Sequence, residues 1–201
     1  MKACNVLAVL SVATLVACAA PADETSDTTE GAASGSSVDS VFTNLGDKDC
    51  KPVPATDFDF EGICPGVGAY TIKIIEGDLR QNLLLVRNGR DEDLNLQSQQ
   101  PTEGGGSLVG VSSIGQKADW RVRKRGRKTT PFALTFRFLT TNDGETFGNQ
   151  QYLIVAKLAE PQACVFKIID ASKHANANDL ARAAANEAET GSCPARILEA
   201  N

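Results

Sequence analysis

The run AYTIKIIEGDLRQNLLLV, residues 69–86, decides the fold of this chain. Residues 69–75 and 79–86 are rich in the β-branched and aliphatic side chains that favour strands. Residues 76–78 between them form a short polar turn sequence that contains a glycine. Two strand-like runs separated by so short a turn predict an antiparallel β-hairpin, and the predicted sheet extends outward from it.

The segment before this hairpin predicts a half-buried strand or an extended edge. Phe58, Phe60 and Ile63 alternate there with acidic residues, which is the period expected of a strand with one buried face. Cys50 and Cys64 lie on either side of the segment, next to prolines, and this composition is typical of loops.

Residues 88–119, after the hairpin, lose this periodicity and become rich in glycine, glutamine, serine and acidic residues. A connection of roughly 30 residues without structure is unusual in a compact domain, so the segment is either functional or contains short strands. The apolar residues that indicate such strands are Leu94, Leu96, Leu108, Val109 and Val111.

A second pair of strand-like runs lies on either side of Gly126. Residues 120–124 alternate apolar and basic side chains, and residues 132–139 return as an apolar-rich strand, so they predict another hairpin. Residues 152–158 and 163–169 are nearly continuous apolar runs, which suit central strands of an antiparallel sheet.

Only the C-terminal region changes to a helical period. Residues 175–190 are rich in alanine, with Leu180, Ala184 and Ala188 on one side and polar residues on the other. Gly191 is expected to end this helix. The predicted fold class is therefore α+β: an antiparallel β-sheet of about six to eight strands with one C-terminal helix.

The N-terminal residues have the layout of a secretory signal peptide, with Lys2 followed by an apolar run from residue 6 to residue 17. The run is roughly 12 residues long, whereas a spanning helix needs about 20, which argues against the alternative of an uncleaved helical anchor. Residues 15–18, LVAC, resemble the lipobox of bacterial lipoproteins. That resemblance implies thioether lipidation of Cys18, cleavage before it and attachment to a membrane. By the same resemblance to lipoproteins, Ala19 instead of an aspartate after the lipidated cysteine implies that the protein is sorted to the outer membrane.

The chain divides into three parts on this interpretation. Residues 1–17 are the signal peptide, residues 18–40 are the lipidated cysteine and a linker, and residues 41–201 are one globular domain. The linker is rich in alanine, aspartate, glutamate, threonine, serine and glycine, so it has almost nothing to bury. A flexible chain of about 22 residues has an end-to-end distance on the order of 25 Å.

Four of the six cysteines remain for the folded domain once Cys4 and Cys18 are assigned to the signal and the lipid. In an oxidising periplasm they predict two disulfides, for which three connectivities are possible. We favour Cys50 with Cys64 and Cys164 with Cys193, because these pairs are nearest in sequence. Zinc is the competing interpretation, but the chain has no CxxC or HxxxH pair, so no metal site is predicted.

Composition and motifs exclude several classes of function. The formal net charge of -5 argues against a nucleic-acid-binding protein, and the hydrophobic content of 42% is that of a soluble globular domain. The sequences that mark a serine hydrolase, a zinc protease, a phosphate-binding loop or a dinucleotide site do not occur. The single histidine, His174, is expected to be a surface group at the helix start. No catalytic residue and no cofactor is therefore predicted.

Glu76, Asp78 and Arg80 form one candidate binding cluster. An aspartate two residues from an arginine can form a charge-assisted pair that orients a ligand. Two carboxylates are also what glycan hydrolysis requires. The plainer alternative is that acids in a turn accept local backbone hydrogen bonds.

A second candidate cluster is strongly basic and holds six of the 20 basic residues within one predicted hairpin. Such a concentration in an acidic chain creates a local positive field that suits phosphate or carboxylate groups. The alternative is a solvated arm whose charges protect a sheet edge from aggregation. The six residues are Arg121, Arg123, Lys124, Arg125, Arg127 and Lys128.

The region from Phe42 to Cys193 resembles a family of uncharacterised secreted bacterial proteins. The residues that carry this resemblance are Cys64, Pro65, Gly66, Gly68, Tyr70, the run from Glu76 to Arg80, Trp120, Arg121, Cys164 and Cys193. The resemblance implies one disulfide-linked domain and assigns no activity.

The expected function is that of a lipid-anchored envelope protein with a non-catalytic binding domain. Its partners would be the membrane, through the lipid, and either another protein or an anionic envelope polymer. The alternative is a cell-wall hydrolase that uses carboxylates near Glu76 and Asp78.

Overall fold

A computed structural model describes residues 36–54, 57–99, 108, 110–141 and 149–194 of the chain. The predicted signal peptide, Cys18 and residues 18–35 of the predicted linker lie outside the described residues, as do residues 195–201. No helix within the described part is both long and apolar enough to cross a membrane.

The described residues form ten strands, one 3-10 helix and one α-helix. The predicted class, the single helix near the C-terminus and the two disulfides are confirmed. The strands beyond the expected six to eight are short or polar, so their sequences lack the apolar pattern that predicts a strand. The elements are β1 Ser36–Asn44, β2 Lys51–Pro52, β3 Phe60–Cys64, β4 Tyr70–Gly77, β5 Arg80–Arg87, β6 Arg90–Asp93, the 3-10 helix Leu96–Ser98, β7 Ser112–Arg125, β8 Lys128–Thr140, β9 Gln150–Lys157, β10 Cys164–Asp170 and α1 Ala177–Glu187.

The strands form one sheet in the order β10-β9-β8-β7-β5-β4-β3-β2, with β1 paired to β7 and β6 paired to β5. Every pairing is antiparallel except the single parallel pair between Arg80 and Ser112. Ile72 and Leu83 from one half share a buried cluster with Phe136 and Ile154 from the other half. The sheet therefore folds over at the Arg80–Ser112 pair, and its two halves enclose the main core.

The hairpin predicted from residues 69–86 is confirmed as β4 and β5, in which Gly77 pairs with Arg80. Its turn lies one residue later than expected, because Gly77 ends the first strand and Asp78 and Leu79 take the turn with φ angles of 52° and 60°. β1 also begins earlier than expected. Residues 36–40 were predicted as linker, but they pair with the long edge of β7.

The region between the two hairpins contains β6 and the 3-10 helix. Leu94, Leu96 and Leu108 are buried but lie outside strands, so predicting strands at these leucines was wrong. Leu94 and Leu108 insert into the main core from outside regular structure, and Leu96 inserts from the first position of the 3-10 helix. Val111 directly precedes β7, and Val109 lies outside the described residues.

Helix α1 covers the opposite face of β8, β9 and β10. Small side chains let it approach closely, and Leu180, predicted for the buried side, is instead 37% exposed. The Cys164–Cys193 disulfide joins the chain after the helix to β10, and Cys50–Cys64 joins the start of β2 to the end of β3. β10 lies at one end of the strand order, not in its centre as predicted. The buried helix residues are Ala177, Ala181, Ala184, Ala185 and, just after the helix, Ala188.

Candidate functional site

The basic candidate cluster lies on the β7–β8 hairpin, and strand alternation divides it between two faces. Trp120 and Val122 point into the main core and are fully buried. The indole nitrogen of Trp120 donates a hydrogen bond to Thr43 Oγ1 at 2.9 Å. Arg121 and Arg123 alternate with these core residues and meet helix α1 on the opposite face.

Arg121 is a structural residue. Its side chain donates from Nε and Nη2 to Asn186 Oδ1, at 2.9 and 2.7 Å, and from Nη1 to Ser40 Oγ at 2.8 Å. The residue is only 9% exposed. These bonds connect β7 to both α1 and β1, so this guanidinium is not available to a ligand.

Arg123 and Lys157 also meet the C-terminal end of α1. Both oxygens of Glu189 accept hydrogen bonds from the Arg123 guanidinium, and this pairing lowers the pKa of Glu189. Lys157 donates to the carbonyl oxygens of Ala188 and Glu189. The last turn of α1 contains no basic residue of its own. The sheet therefore supplies the positive charge that the carbonyl end of a helix favours.

The remaining cations differ in their surroundings. Lys124 donates to Asp39 at 2.6 Å, and this exposed pair lowers the pKa of Asp39. The side chains of Arg125, Arg127 and Lys128 are exposed and form no hydrogen bond or ion pair with the described part of the chain, although the charge of Arg125 contributes to the lowered pKa of Glu189. We call residues 125–128 the hairpin tip. Only three of the six predicted binding cations are thus free for a ligand.

The candidate cluster of Glu76, Asp78 and Arg80 is at the β4–β5 turn, and its three members do not act together. Asp78 and Arg80 form the ion pair that the sequence predicted. Glu76 instead accepts a hydrogen bond from Gln81 Nε2 at 2.7 Å, and Gln81 Oε1 accepts one from the backbone nitrogen of Ile114 at 2.9 Å. Glu76 is therefore part of a link between β4, β5 and β7.

Arg80 lines an open pocket of about 470 Å³ on the face of β4 and β5 that points away from the main core. We call it the hairpin pocket. Glu76 and Asp78 do not line it, whereas several polar residues that the sequence did not single out do. The lining residues are Phe58, Ile75, Gly77, Arg80, Asn82, Asp93, Asn95, Leu96, Gln97 and Ser98.

The two candidate clusters lie at opposite ends of β7. Arg80 pairs with Ser112 at the start of the strand, and Arg125 ends it. At about 3.3 Å per residue, the strand separates them by about 40 Å. They therefore form two separate surfaces.

A buried ion pair was missed by the sequence analysis. Arg87 Nε donates to Glu92 Oε1 at 2.6 Å, and both side chains are about 10% exposed or less. Arg87 also stacks over the Tyr70 ring and donates to the carbonyl of Pro161, while Glu92 accepts from the backbone nitrogen of Ala163 at 2.9 Å. Burial raises the pKa of Tyr70. The network joins the β5–β6 hairpin to the loop before β10.

Metal-ligating side chains and the single histidine add no further site within the described residues. Among the described residues, no group of three or more histidine, cysteine, aspartate or glutamate side chains is placed to hold a metal ion. His174 is half-buried in the turn before α1, where its carbonyl accepts from the nitrogen of Ala177 at 3.1 Å. Comparison with protein-family models, with curated proteins and with solved structures finds no match.

Proposed function

We propose that this protein is a lipid-anchored envelope protein whose folded domain binds an anionic polymer of the outer membrane through the hairpin tip. Three exposed and unpaired cations, Arg125, Arg127 and Lys128, support binding of phosphate or carboxylate groups. They lie on a chain with a formal net charge of -5, so the tip is a local exception to an acidic surface. The lipobox at residues 15–18 supports the anchor.

The observation that carries the proposal is the register of β1. Ser36, the first residue of β1, pairs with Arg125 at the tip. The first described residue of the chain therefore lies beside the three cations. Attachment of a membrane-anchored chain at Ser36, beside this positive surface, would favour contact between the surface and anionic groups of the membrane.

An anionic polymer suits the tip better than a protein partner does. The cores of protein interfaces are depleted of charge and rich in aromatic residues. None of the large apolar side chains that are exposed in the described part of the chain belongs to the tip. The phosphates of lipopolysaccharide have the matching charge.

The alternative of a cell-wall hydrolase has no support from the geometry. Glycosidases need two carboxyl groups that flank one bond. Glu76 is bonded to Gln81, Asp78 is paired with Arg80, and neither lines the hairpin pocket. Asp93 is the one carboxylate in that lining.

The tip is tested by replacing Arg125, Arg127 and Lys128 together with glutamine and measuring binding to lipopolysaccharide at several salt concentrations. We expect affinity to fall at least roughly tenfold and its salt dependence to weaken, because exposed charges act through screened Coulomb attraction. Unchanged binding with unchanged salt dependence would exclude the tip.

A matched control has the same change in net charge elsewhere on the surface. Lys48, Lys51 and Arg90 are exposed, so their triple replacement by glutamine should leave binding close to that of the natural protein. The anchor is tested separately by mass spectrometry of the protein from its native membrane. We expect a lipid-modified Cys18 at the amino terminus, and an unmodified Cys18 would contradict the anchor without affecting the tip.

A further inference from the structure

The hairpin pocket is built by strand alternation. Leu83 and Leu85 of β5 point into the main core, so the alternate residues Asn82 and Arg80, which precede them, point to the outer face. Ile75 pairs with Asn82 across the hairpin and lies on the same face. After β6, the left-handed φ of 50° at Asn95 turns the chain so that residues 95–98 form a wall over this face.

Apolar surface and an aromatic ring form one side of the pocket. Ile75, which is 8% exposed, contributes aliphatic surface, and Phe58 stands at the edge with 42% of its surface exposed. Gly77 lies next to the ring, since a Cβ atom there would be in van der Waals contact with Phe58 Cδ1 at 3.5 Å. An accessible ring next to an aliphatic side chain can cover the C–H face of a ligand.

The polar side of the pocket keeps donors and acceptors free. Asn82 Oδ1 accepts from the nitrogen of Leu83 at 2.8 Å, but its Nδ2 group has no partner among the described residues. Asp93 Oδ1 accepts a hydrogen bond from the nitrogen of Asn95 at 2.7 Å. The other carboxylate oxygen of Asp93 has no hydrogen-bond partner within the described residues. Arg80 uses one guanidinium nitrogen for Asp78. Each of these groups can still bond a ligand.

We propose that the hairpin pocket binds a short uncharged glycan, one or two sugar rings of a longer chain. Sugar rings combine an apolar C–H face with hydroxyl groups that both donate and accept, and the pocket offers a partner for each. Its volume lies in the range of small-molecule sites. This site is distinct from the hairpin tip and does not depend on the lipid anchor.

Other ligand classes fit the pocket less well. A nucleotide or phosphorylated ligand would need more positive charge than one arginine that is already paired with Asp78. An extended peptide would need an unpaired strand edge, whereas β4 pairs with β3 and β5, and β5 pairs with β4 and β6.

The site is tested by NMR titration of the folded domain with triacetylchitotriose and, separately, with maltotriose. We expect saturable shifts of the backbone amides of Gly77, Asn82 and residues 95–98 with at least one of the two probes. No saturable shift with either probe up to about 10 mM, or shifts that map outside the pocket, would overturn the proposal.

Two variants and a control sharpen the test. Phe58→Ala and Asn82→Ala should each weaken binding roughly tenfold, because they remove the ring and the free amide donor. Phe42→Ala removes a ring that is 57% exposed, more than Phe58, from β1 outside the pocket and should leave affinity unchanged. Equal affinity of the Phe58 and Phe42 variants would overturn the site. Replacement of the tip cations should not affect this binding, so failure of one proposal is distinguishable from failure of the other.

Discussion

The β4–β5 and β7–β8 hairpins place polar side chains in the same way but use them differently. In each, one face of the strands enters the main core and the other face carries polar residues. On β7 that outer face lies beside the C-terminal end of α1, where Arg121 and Arg123 bond to Asn186 and Glu189. On β5 it is covered only in part by residues 95–98, and Asn82 lines an open pocket.

The difference shows that the presence of another element against the outer face of the sheet decides whether a polar residue on that face is structural or available to a ligand. Desolvated charges need partners, and a covering helix supplies them. Where no element covers the strand, the same alternation leaves donors and acceptors free. The clustered charges of residues 121–128 could therefore not be assigned from sequence to one surface.

The largest expected effect comes from releasing the covering helix. Replacing Cys164 and Cys193 with alanine removes a cross-link with a sequence separation of 29. The chain-entropy relation gives a loss of about 3.5 kcal/mol in the free energy of unfolding. Denaturant unfolding measures the loss, and hydrogen exchange should show α1 amides opening before those of β4 and β5.

The Cys50–Cys64 disulfide gives the control for this prediction. Its sequence separation is 14, so its removal should cost about 3 kcal/mol by the same relation. In that variant the early exchange should appear around β2 and β3 instead of α1. The same exchange pattern in both variants would mean that Cys164–Cys193 does not hold the helix on the sheet.

The next largest effect on the free energy of unfolding is expected at Arg121, which we compare with Arg127 of the same hairpin. Arg121→Met should lower the free energy of unfolding by about 2 kcal/mol, because it removes several hydrogen bonds from a charged group and leaves Asn186 without them. Arg127→Met, at the exposed tip, should change it by no more than about 0.5 kcal/mol. Equal losses in urea unfolding would contradict the division between covered and free cations.

A smaller effect, of opposite sign, is expected at the β4–β5 turn. Asp78 and Leu79 both have positive φ, and Leu79 is 66% exposed, so it gains little from burial. The β5–β6 turn uses Asn88 and Gly89 at corresponding angles, the composition that such two-residue turns favour. Leu79→Gly should raise the free energy of unfolding by about 0.5–1 kcal/mol, as measured by thermal unfolding. Gly89→Leu should lower it by a similar amount, and a loss in both variants would contradict this account of the turn.

Much of the fold follows from local patterns in the sequence. The apolar period of residues 69–86 and 132–139, the helical period before Gly191 and the nearest-neighbour cysteine pairs were sufficient for the class, the hairpins and the disulfides. The turn was displaced by one residue because glycine was assigned to the turn, while Asp78 and Leu79 take the positive φ angles.

The sites were less accessible to sequence analysis because they depend on distant segments. Arg87 and Glu92 flank the Asn88–Gly89 turn, which is a local signal, but their contacts with Pro161 and Ala163 lie about 70 residues away in the chain. The glutamate that pairs with Arg123 is 66 residues from it. Leu180 was placed on the buried face by its hydrophobicity, whereas close packing selected alanines.

The smallest expected effect concerns the pH dependence of the contact between β7 and α1. The hydrogen bonds from Arg123 lower the pKa of Glu189, so the ionised carboxylate stabilises the folded state at neutral pH. This contribution is present above the unfolded-state pKa of about 4.3 and is lost as pH falls through the lower folded-state pKa. Glu189→Gln should therefore be less stable than the natural protein at pH 7, with the difference shrinking on acidification below about pH 4. Glu187→Gln, an exposed neighbour with no side-chain bond to the described residues, should show no such convergence. If the stability difference for Glu189→Gln stays constant with pH, the carboxylate does not link the covered face of β7 to the helix.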